Sequence, residues 1–548
     1  MNLQNRLRQI DHALDRADTE TAARIAGEAL AAGFEDPLIL NLVAWRLEED
    51  GDLDAAVAHI QRALALAPQD PTIHVAHGIV LRKTGELRES VAAFERAIAL
   101  DPAYAAAWMH RGSSFEKGGA LADAADDYRH SLGLDPRNPD ALASLASLEA
   151  RRGNIKEARD NARLALSLEP SHAIARQALA QAALESGDAE RARELLEAIL
   201  ADAPADGDFL VGTHSLLGDT LAKLGRHDEA FDCYARAQAQ FQAIHSARQS
   251  AETARDAVDF VQTIARSFSA LPDPAFAALR GRAGTPISGP DSDNRAKRHV
   301  ILTGYPRSGT TLVENILASL PGAVAIEERP TLARIDREFL TRADGVEALF
   351  SAAPEVLDSL RSDYWQRAAR AAGVDLTDRV FIDMDPFKGS RLPAIGLLFP
   401  QAKVVVMRRD PRDVVWSCFH TSFAYNAGTL AFSSLDSTAR HFAATWTTID
   451  LARERLAIDA FDLRYDRLVR AFDETTRALC AFLGVEWSEA LRDFAVTARR
   501  RGVSTASVTQ VRQGLYDGSG SWRPYARQME SVEPILRPWI ERYEADAV

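Results

Sequence analysis

Pro68, Pro102, Pro136, Pro170 and Pro204 stand 34 residues apart, and Gly51, Gly85, Gly119, Gly153 and Gly187 keep the same interval. A fixed period of this length marks a stack of supersecondary units, each of which hides its apolar face only against its neighbours. Each glycine follows one apolar helical stretch and opens the short turn into the next, where a positive φ or close helix approach is cheap only without a Cβ. Each proline follows the second helix, where a missing amide donor does least harm and a new helix can begin. The unit is a helical hairpin, and the first half of the chain is predicted to be an all-α superhelix.

Five residues beyond each glycine comes a small residue: Ala56, Ser90, Ala124, Ala158 or Ala192. Nine beyond comes a larger or apolar one, as in Ile60, Phe94, Tyr128 and Leu196, and twelve beyond often comes alanine, as at Ala63, Ala97 and Ala165. Steps of three and four put the set on one helix face, with small residues letting paired helices approach. With the unit endings ALALAPQDP, AIALDPAYA, SLGLDPRNP and LSLEPSHA, the pattern resembles the tetratricopeptide repeat family over about residues 18–240. A further copy, with Gly225, Ala230, Tyr234 and Ala237, is displaced by four residues, and the extra length falls in ADAPADGDFLVG, between units. Insertion there lengthens a loop without rotating a helix off its core face. The resemblance implies an extended concave surface that holds a peptide or protein partner. An array that only stabilises or dimerises the protein is the alternative, so the oligomeric state, a dimer included, stays open.

Residues 241–280 read as one or two further helices, with apolar Val258, Val261, Ile264, Phe268 and Phe276, that cap the array. The stretch GRAGTPISGPDSDNRAKR, 281–298, has the glycine, proline and charge density of an exposed connection. The expected division is a repeat array at 1–240, capping helices and linker at 241–298, and a second domain at 299–548.

A chain of 548 residues is too long for one core, and 47% hydrophobic with 26% charged residues is the composition of a globular protein. The formal charge of −14 lowers the expectation of a nucleic-acid binder, although it leaves room for a basic pocket that takes a small anion. Cys233, Cys418 and Cys480 form neither a CxxC pair nor a zinc-ligand spacing and read as buried or incidental thiols. No metal site is expected. The charged opening MNLQNRLRQIDHALDRAD has no apolar core of a signal peptide, and no stretch reaches the roughly 20 apolar residues that cross a bilayer. No membrane partner is expected, and the expected compartment is the cytoplasm.

After the linker, HVILTGYPRSGTTLVENILASL reads as a buried strand at Val300 to Thr303, a sharp loop bracketed by Gly304 and Gly309, and a helix from Thr310. Loop amides and a new helix terminus that point at one place favour phosphate. The GxxxxG spacing matches a nucleoside-triphosphate loop, yet Thr310 stands where that motif requires lysine. A kinase or ATPase, which needs that lysine on the β and γ phosphates, is disfavoured. Arg307, Ser308, Thr310 and Thr311 supply cationic and hydroxyl donors for a smaller phosphate group instead. The segment YPRSGTTL resembles the 5′-phosphosulfate loop of sulfotransferases that use PAPS, 3′-phosphoadenosine 5′-phosphosulfate.

A second strand, Lys403 to Met407, ends in Arg408 and Arg409, and DPRDVVWS then starts a helix. Crevices at such strand ends bind ligands in open α/β sheets. The segment KVVVMRRDPRDVVWSCF resembles the family's 3′-phosphate motif, which implies that Arg409 and Ser417 hold that phosphate; arginine suits the task through its planar fork. The segment LRYDRLV resembles the YExLV segment of bacterial and tyrosylprotein members, which places Tyr465 beside the cofactor. The tail STASVTQVRQGLYDGSGSWRPY is similar to the segment that closes over the nucleotide and adds Ser507, Arg512 and Trp522 as binding candidates. The resemblance covers about residues 298–545. It implies a P-loop-like α/β domain with a parallel sheet.

Sulfuryl transfer to a hydroxyl needs a base, positive charge near the transferring group and stabilisation of the leaving phosphate. Glu328 lies 21 residues after Arg307, in AIEERP, at the interval where tyrosylprotein sulfotransferases carry a glutamate base. A carboxylate whose pKa burial has raised does this most effectively. Arg307 and the Gly309 loop are placed to neutralise the sulfuryl and bridging oxygens. One departure stands out: the family has a lysine where FIDMDPFKG carries Met384, and methionine neither donates a proton nor carries charge. Lys388, four residues on, is expected to reach the pocket where the segment turns and to take that lysine's catalytic place, with Arg307 carrying more of the charge. His420 and His441 are alternative bases.

The sequence thus reads as a tetratricopeptide array fused to a PAPS-dependent sulfotransferase that acts on a hydroxyl, with tyrosine in a peptide or protein as the acceptor class that the resemblance favours. A carbohydrate or small-molecule acceptor, and a PAPS-binding scaffold without activity, stay open.

Overall fold

The computed structural model describes residues 2–202, 207–252, 256–273, 276, 296–426, 428–501 and 514–546, with side chains from 247 to 252 left aside. The chain divides into two compact units, Met1–Pro204 and Ala205–Val548.

The first unit is a run of six helical hairpins, from Leu3–Leu14 paired with Thr19–Ala31 to Ala173–Glu185 paired with Ala189–Ala201. Their starts are written in the sequence. Asp36, Asp52, Asp70, Asn138 and Asp188 each cap a helix by accepting from a first-turn amide, and Pro37, Pro71 and Pro139 occupy first-turn positions that need no donor. The turn glycines at 51, 85, 119, 153 and 187 all have φ between 82° and 91°. Thirty-four residues before Gly51 the same turn is made by Ala17, at φ 56°. Since a Cβ in the left-handed region costs roughly 1–2 kcal/mol and glycine gives back part of this as chain entropy, Ala17→Gly should stabilise the first hairpin by about 0.5–1 kcal/mol. Denaturant unfolding of the full chain would show it as a higher midpoint at unchanged slope.

Packing within a hairpin follows a size rule that repeats with the period. Where the second helix offers Phe94, Tyr128 or Tyr234, the position sixteen residues earlier is Gly78, Gly112 or Gly218; where it offers Ile60, Ala162 or Leu196, that position is Ala44, Ala146 or Ala180. The rings lie on the glycines: a Cβ at Gly78 would fall 2.6 Å from the Phe94 ring and one at Gly218 would fall 2.5 Å from that of Tyr234. Gly78→Val should therefore cost about 1–3 kcal/mol through overpacking. Adding Phe94→Leu should recover part of the lost melting temperature, which a purely helix-propensity effect would not allow.

In the second unit a seventh hairpin, Gly207–Lys223 with His227–Glu252, comes first, followed by helix Ala257–Ala270. The hairpin that the repeat period counts with the array thus packs as part of the C-terminal unit. Phe231 and Tyr234 meet Trp416, Phe419 and His420, and the Gln238 amide donates to the Phe419 carbonyl at 2.6 Å. Phe268 of the next helix packs on Phe276 and Phe350, and Arg455 donates to the carbonyls of Phe268 and Leu271.

Five parallel strands follow, β1 (Arg298–Thr303), β2 (Ala323–Glu327), β3 (Val380–Met384), β4 (Lys403–Arg408) and β5 (Ala460–Arg464), in the order β2-β3-β1-β4-β5. β1 and β4 read as unbroken apolar runs because both sheet faces are covered. Helix Thr310–Ala318 lays Leu312, Val313, Ile316 and Leu317 on one face, against Val300, Leu302, Met384 and Met407. The chain leaves β1 toward one edge of the sheet and returns with β4 on the other side. Between these two strands lies the switch point where such sheets bind ligands. Among the described residues no helix is long and apolar enough to cross a membrane.

Candidate active site

Apart from Trp522 and His441, each candidate that the structure describes stands at or just beyond the C-terminal end of a strand or on the element that follows it. Gly304 to Thr311 follow β1, Glu328 follows β2, Lys388 follows β3, Arg409 and Ser417 follow β4, Tyr465 follows β5, and Trp522 lies against the helix that carries Ser417.

The loop after β1 is tight. Gly304, at φ 156°, has no room for a side chain, because a Cβ would lie 2.8 Å from the Met407 carbonyl; Gly309, at φ 106°, would meet the Tyr465 ring at the same distance. Ser308 is spent within the loop, its hydroxyl donating to the Tyr305 carbonyl at 2.7 Å. Thr310 and Thr311 are buried in the first turn of the helix, whose N-cap Gly309 offers no side-chain acceptor. Arg307 takes a left-handed φ of 67°. Such a conformation in a non-glycine residue persists only where its surroundings hold it, and it clusters at functional sites.

Here the surroundings are the β4 end of the sheet. Arg307 Nε donates to Ser417 Oγ at 3.0 Å, and Arg409 donates to the carbonyls of Arg307 at 3.0 Å and Gly518 at 2.6 Å. The Arg409 guanidinium sits over the Tyr465 ring, 4.9 Å from its centre, while the Tyr465 hydroxyl donates to the Tyr516 carbonyl. Among the described residues Arg409 has no carboxylate partner, and its buried Nε has no hydrogen-bond partner. Burial pulls the Arg307 guanidinium below its ordinary value, and Arg409 beside it works in the same direction. Two guanidiniums held together this way make a site for an anion with several acceptor oxygens. Asp413 takes bonds from the amides of Gly520 and Trp522 and the hydroxyl of Ser521, and Trp522 stacks on Arg412. Ser507 and Arg512 lie outside the described residues.

Glu328 stands at φ 48°, the second strained position of the site, with its amide donating to the Met384 carbonyl at 2.8 Å. The residue is exposed. Lost hydration and the neighbouring carboxylates of Asp385, Glu327 and Glu314 push its carboxyl up to about 7, against the opposing charge of Lys388.

Met384 is fully buried in the apolar core under helix Thr310–Ala318. The chain does turn after it, as the short helix Pro386–Arg391, but Lys388 is buried and its ammonium is 2.7 Å from Asp383 Oδ1. Its charge also acts on the Glu328 carboxyl.

The alternative bases are occupied elsewhere. His441 Nδ1 is 2.8 Å from the Tyr305 hydroxyl, and burial depresses the ring to about 3, so it stays neutral and braces the loop. His420 bonds the Trp416 carbonyl and stacks on that ring, with burial lowering it to about 4. All three cysteines are buried. Sequence reasoning passed over Tyr305 and Asp383, which touch the candidates from beneath. The only signal for Asp383 was a carboxylate inside an otherwise apolar strand.

Residues 299–489 match the sulfotransferase family, and residues 7–71, 75–139, 152–210 and 212–239 match tetratricopeptide repeats. The chain is 27% identical over 237 residues to protein-tyrosine sulfotransferase 1 of Danio rerio, covering 41% of this chain and 64% of that protein. It is 29% identical over 275 residues to an uncharacterized protein of Aquifex aeolicus (strain VF5), covering 45% of this chain and 34% of that one. The chain thus spans less than two thirds of either relative's length. Among solved structures, the thermophilic tetratricopeptide protein TTC0263 of Thermus thermophilus aligns with 33% of this chain and 99% of its own, at 24% identity and a TM-score of 0.30. YrrB, a tetratricopeptide protein with an unusual peptide-binding site, aligns with 34% of this chain and 97% of its own, at 19% identity and a TM-score of 0.26. The chain joins tetratricopeptide repeats to a domain of the sulfotransferase family.

Proposed function

We propose that the protein transfers the sulfuryl group of PAPS to a hydroxyl of a polypeptide, tyrosine being the favoured acceptor. The observation that carries the donor reading is Arg409 braced on Arg307, which in turn bonds Ser417, with a buried Arg409 Nε that has no partner among the described residues. PAPS supplies the sulfuryl group and leaves as the 3′,5′-bisphosphate of adenosine. Arg409 and Ser417 would hold its 3′-phosphate, and Tyr465 and Trp522 would flank the nucleotide, with Ser507 and Arg512 assigned there on the resemblance alone. The amides from Gly309 to Thr311, with Arg307, would hold the 5′ end and neutralise charge that builds on the bridging oxygen.

Glu328 accepts the acceptor's proton while the acceptor oxygen bonds to sulfur and the sulfur–oxygen bond to the phosphate breaks. Its raised pKa suits a base working near neutrality. The likeness to the Danio rerio protein favours tyrosine in a polypeptide, and repeats of this type offer surfaces that hold peptides. Lys388, fixed on Asp383, adds positive charge near the pocket in place of the cation missing at Met384.

The test is incubation of the purified full chain with PAPS labelled in the sulfuryl group and a lysate of its own cells. Label on tyrosine of a polypeptide is the expected result. Label on a saccharide or small molecule would overturn the acceptor, and binding of 3′,5′-ADP with no transfer at all would overturn the activity.

A further inference from the structure

Asp383 lies in β3 among apolar neighbours and is fully buried. A buried carboxylate persists only when its oxygens are paired, and here both are. Oδ1 accepts from Lys388 Nζ at 2.7 Å, while Oδ2 accepts from the Tyr364 hydroxyl at 2.8 Å and the Thr331 hydroxyl at 2.9 Å. The Tyr364 hydroxyl is in turn 2.7 Å from His299 Nε2, at the start of β1. All of these groups are buried or nearly so.

Two of the three donors belong to site segments. Thr331 is three residues beyond Glu328, in the short loop that leaves β2, and the Glu328 amide is itself tied to the Met384 carbonyl, next in β3 to Asp383. Lys388 belongs to the turn whose Gly389 lies against the Gly304 carbonyl, where the anion loop begins. One carboxylate therefore fixes both the loop of the strained Glu328 and the cation beneath it.

We infer that Asp383 is the positioning residue of this site, holding Glu328 through Thr331 and the site's buried cation through Lys388, with Tyr364 and His299 anchoring it from behind. The inference rests on the reading of Glu328 as the base. The charged groups facing Glu328 are Glu327 on β2, Glu314 on the helix after the anion loop, and Asp385 and Lys388 after β3. Asp383 acts on this set by fixing where Lys388 sits. If Thr331 lets go of it, the loop relaxes toward solvent, away from the neighbouring carboxylates, and the Glu328 carboxyl becomes easier to ionise.

Thr331→Val, Thr331→Ser and Asp383→Asn in the full chain test this with two readouts. Backbone hydrogen exchange needs no acceptor: protection of residues 326–332 should fall about tenfold or more in Thr331→Val and Asp383→Asn, hold in Thr331→Ser, and stay unchanged over 300–318. Unchanged protection in Thr331→Val overturns the inference whatever the activity. With labelled PAPS and a pool of tyrosine-, serine- and threonine-containing peptides, Asp383→Asn should lower transfer by about 10–100-fold while 3′,5′-ADP binds within about twofold of normal. The acid limb of kcat/KM should move to lower pH in Thr331→Val and return in Thr331→Ser. A merely structural role would lower melting and donor binding together and leave the limb in place, which overturns the inference. If no acid limb disappears in Glu328→Gln, the base assignment fails instead, and hydrogen exchange alone then decides the role of Asp383.

Discussion

Glu328→Gln is expected to cut sulfuryl transfer by about 10²–10⁴-fold, the usual contribution of a positioned base, while 3′,5′-ADP binds as before. The amide keeps the side chain's size and the backbone bond to the Met384 carbonyl, so the loop holds its shape and only the proton acceptor is lost. In the unaltered protein the carboxyl is pushed up to about 7, and only its ionised form accepts a proton. The rate should therefore fall as pH drops through that value and level off above it. Stopped assays with labelled PAPS between pH 5 and 9 check both points. Normal transfer by Glu328→Gln would remove the base from this position, and a flat acid side would mean that its ionisation does not control the rate.

Arg409→Ala is expected to weaken 3′,5′-ADP binding by about 10²–10³-fold. Each hydrogen bond from a guanidinium to a charged phosphate contributes roughly 1.5–3 kcal/mol, and 1.4 kcal/mol is a factor of ten. The substitution also removes the braces to the carbonyls of Arg307 and Gly518, so the strained Arg307 loses part of its support. Arg409→Lys restores charge without the planar fork and should recover only part of the affinity. Calorimetric titration would separate the three proteins, and normal affinity in Arg409→Ala would place the nucleotide elsewhere.

Much of the architecture is legible in the sequence. Period and composition of the hairpins sufficed for the array, because each unit contacts mainly its neighbours and local residues decide its shape. The strands around Val300 and Val404, the loop at Gly304 to Gly309 and the helix from Pro411 were legible for a similar reason: unbroken apolar runs followed by glycine or Asp-Pro leave few alternatives. What the sequence hid depends on contacts made at long range. Nothing near Lys388 announces that its partner is Asp383, since both readings of the segment, free in the pocket or folded beneath it, have the same local pattern. His441 looked like a base because a lone imidazole does not reveal its burial or its bond to Tyr305. The seventh hairpin carries the repeat signature as faithfully as its predecessors, yet its aromatic residues at 231 and 234 face Trp416 and Phe419.

That last contact bears on how the protein is made. The hairpin Gly207–Glu252 is complete long before the ribosome reaches Trp416, and β1 waits likewise, since its register pairs Val300 with Ile382 on one side and Lys403 on the other. Local hairpins form as they emerge, whereas a parallel sheet must wait for its distant strands. Tyr234 is covered early on its Gly218 side alone, and Phe231 stands without its partners Trp416 and Phe419 until both have left the exit tunnel, an interval in which apolar surface is open to a chaperone.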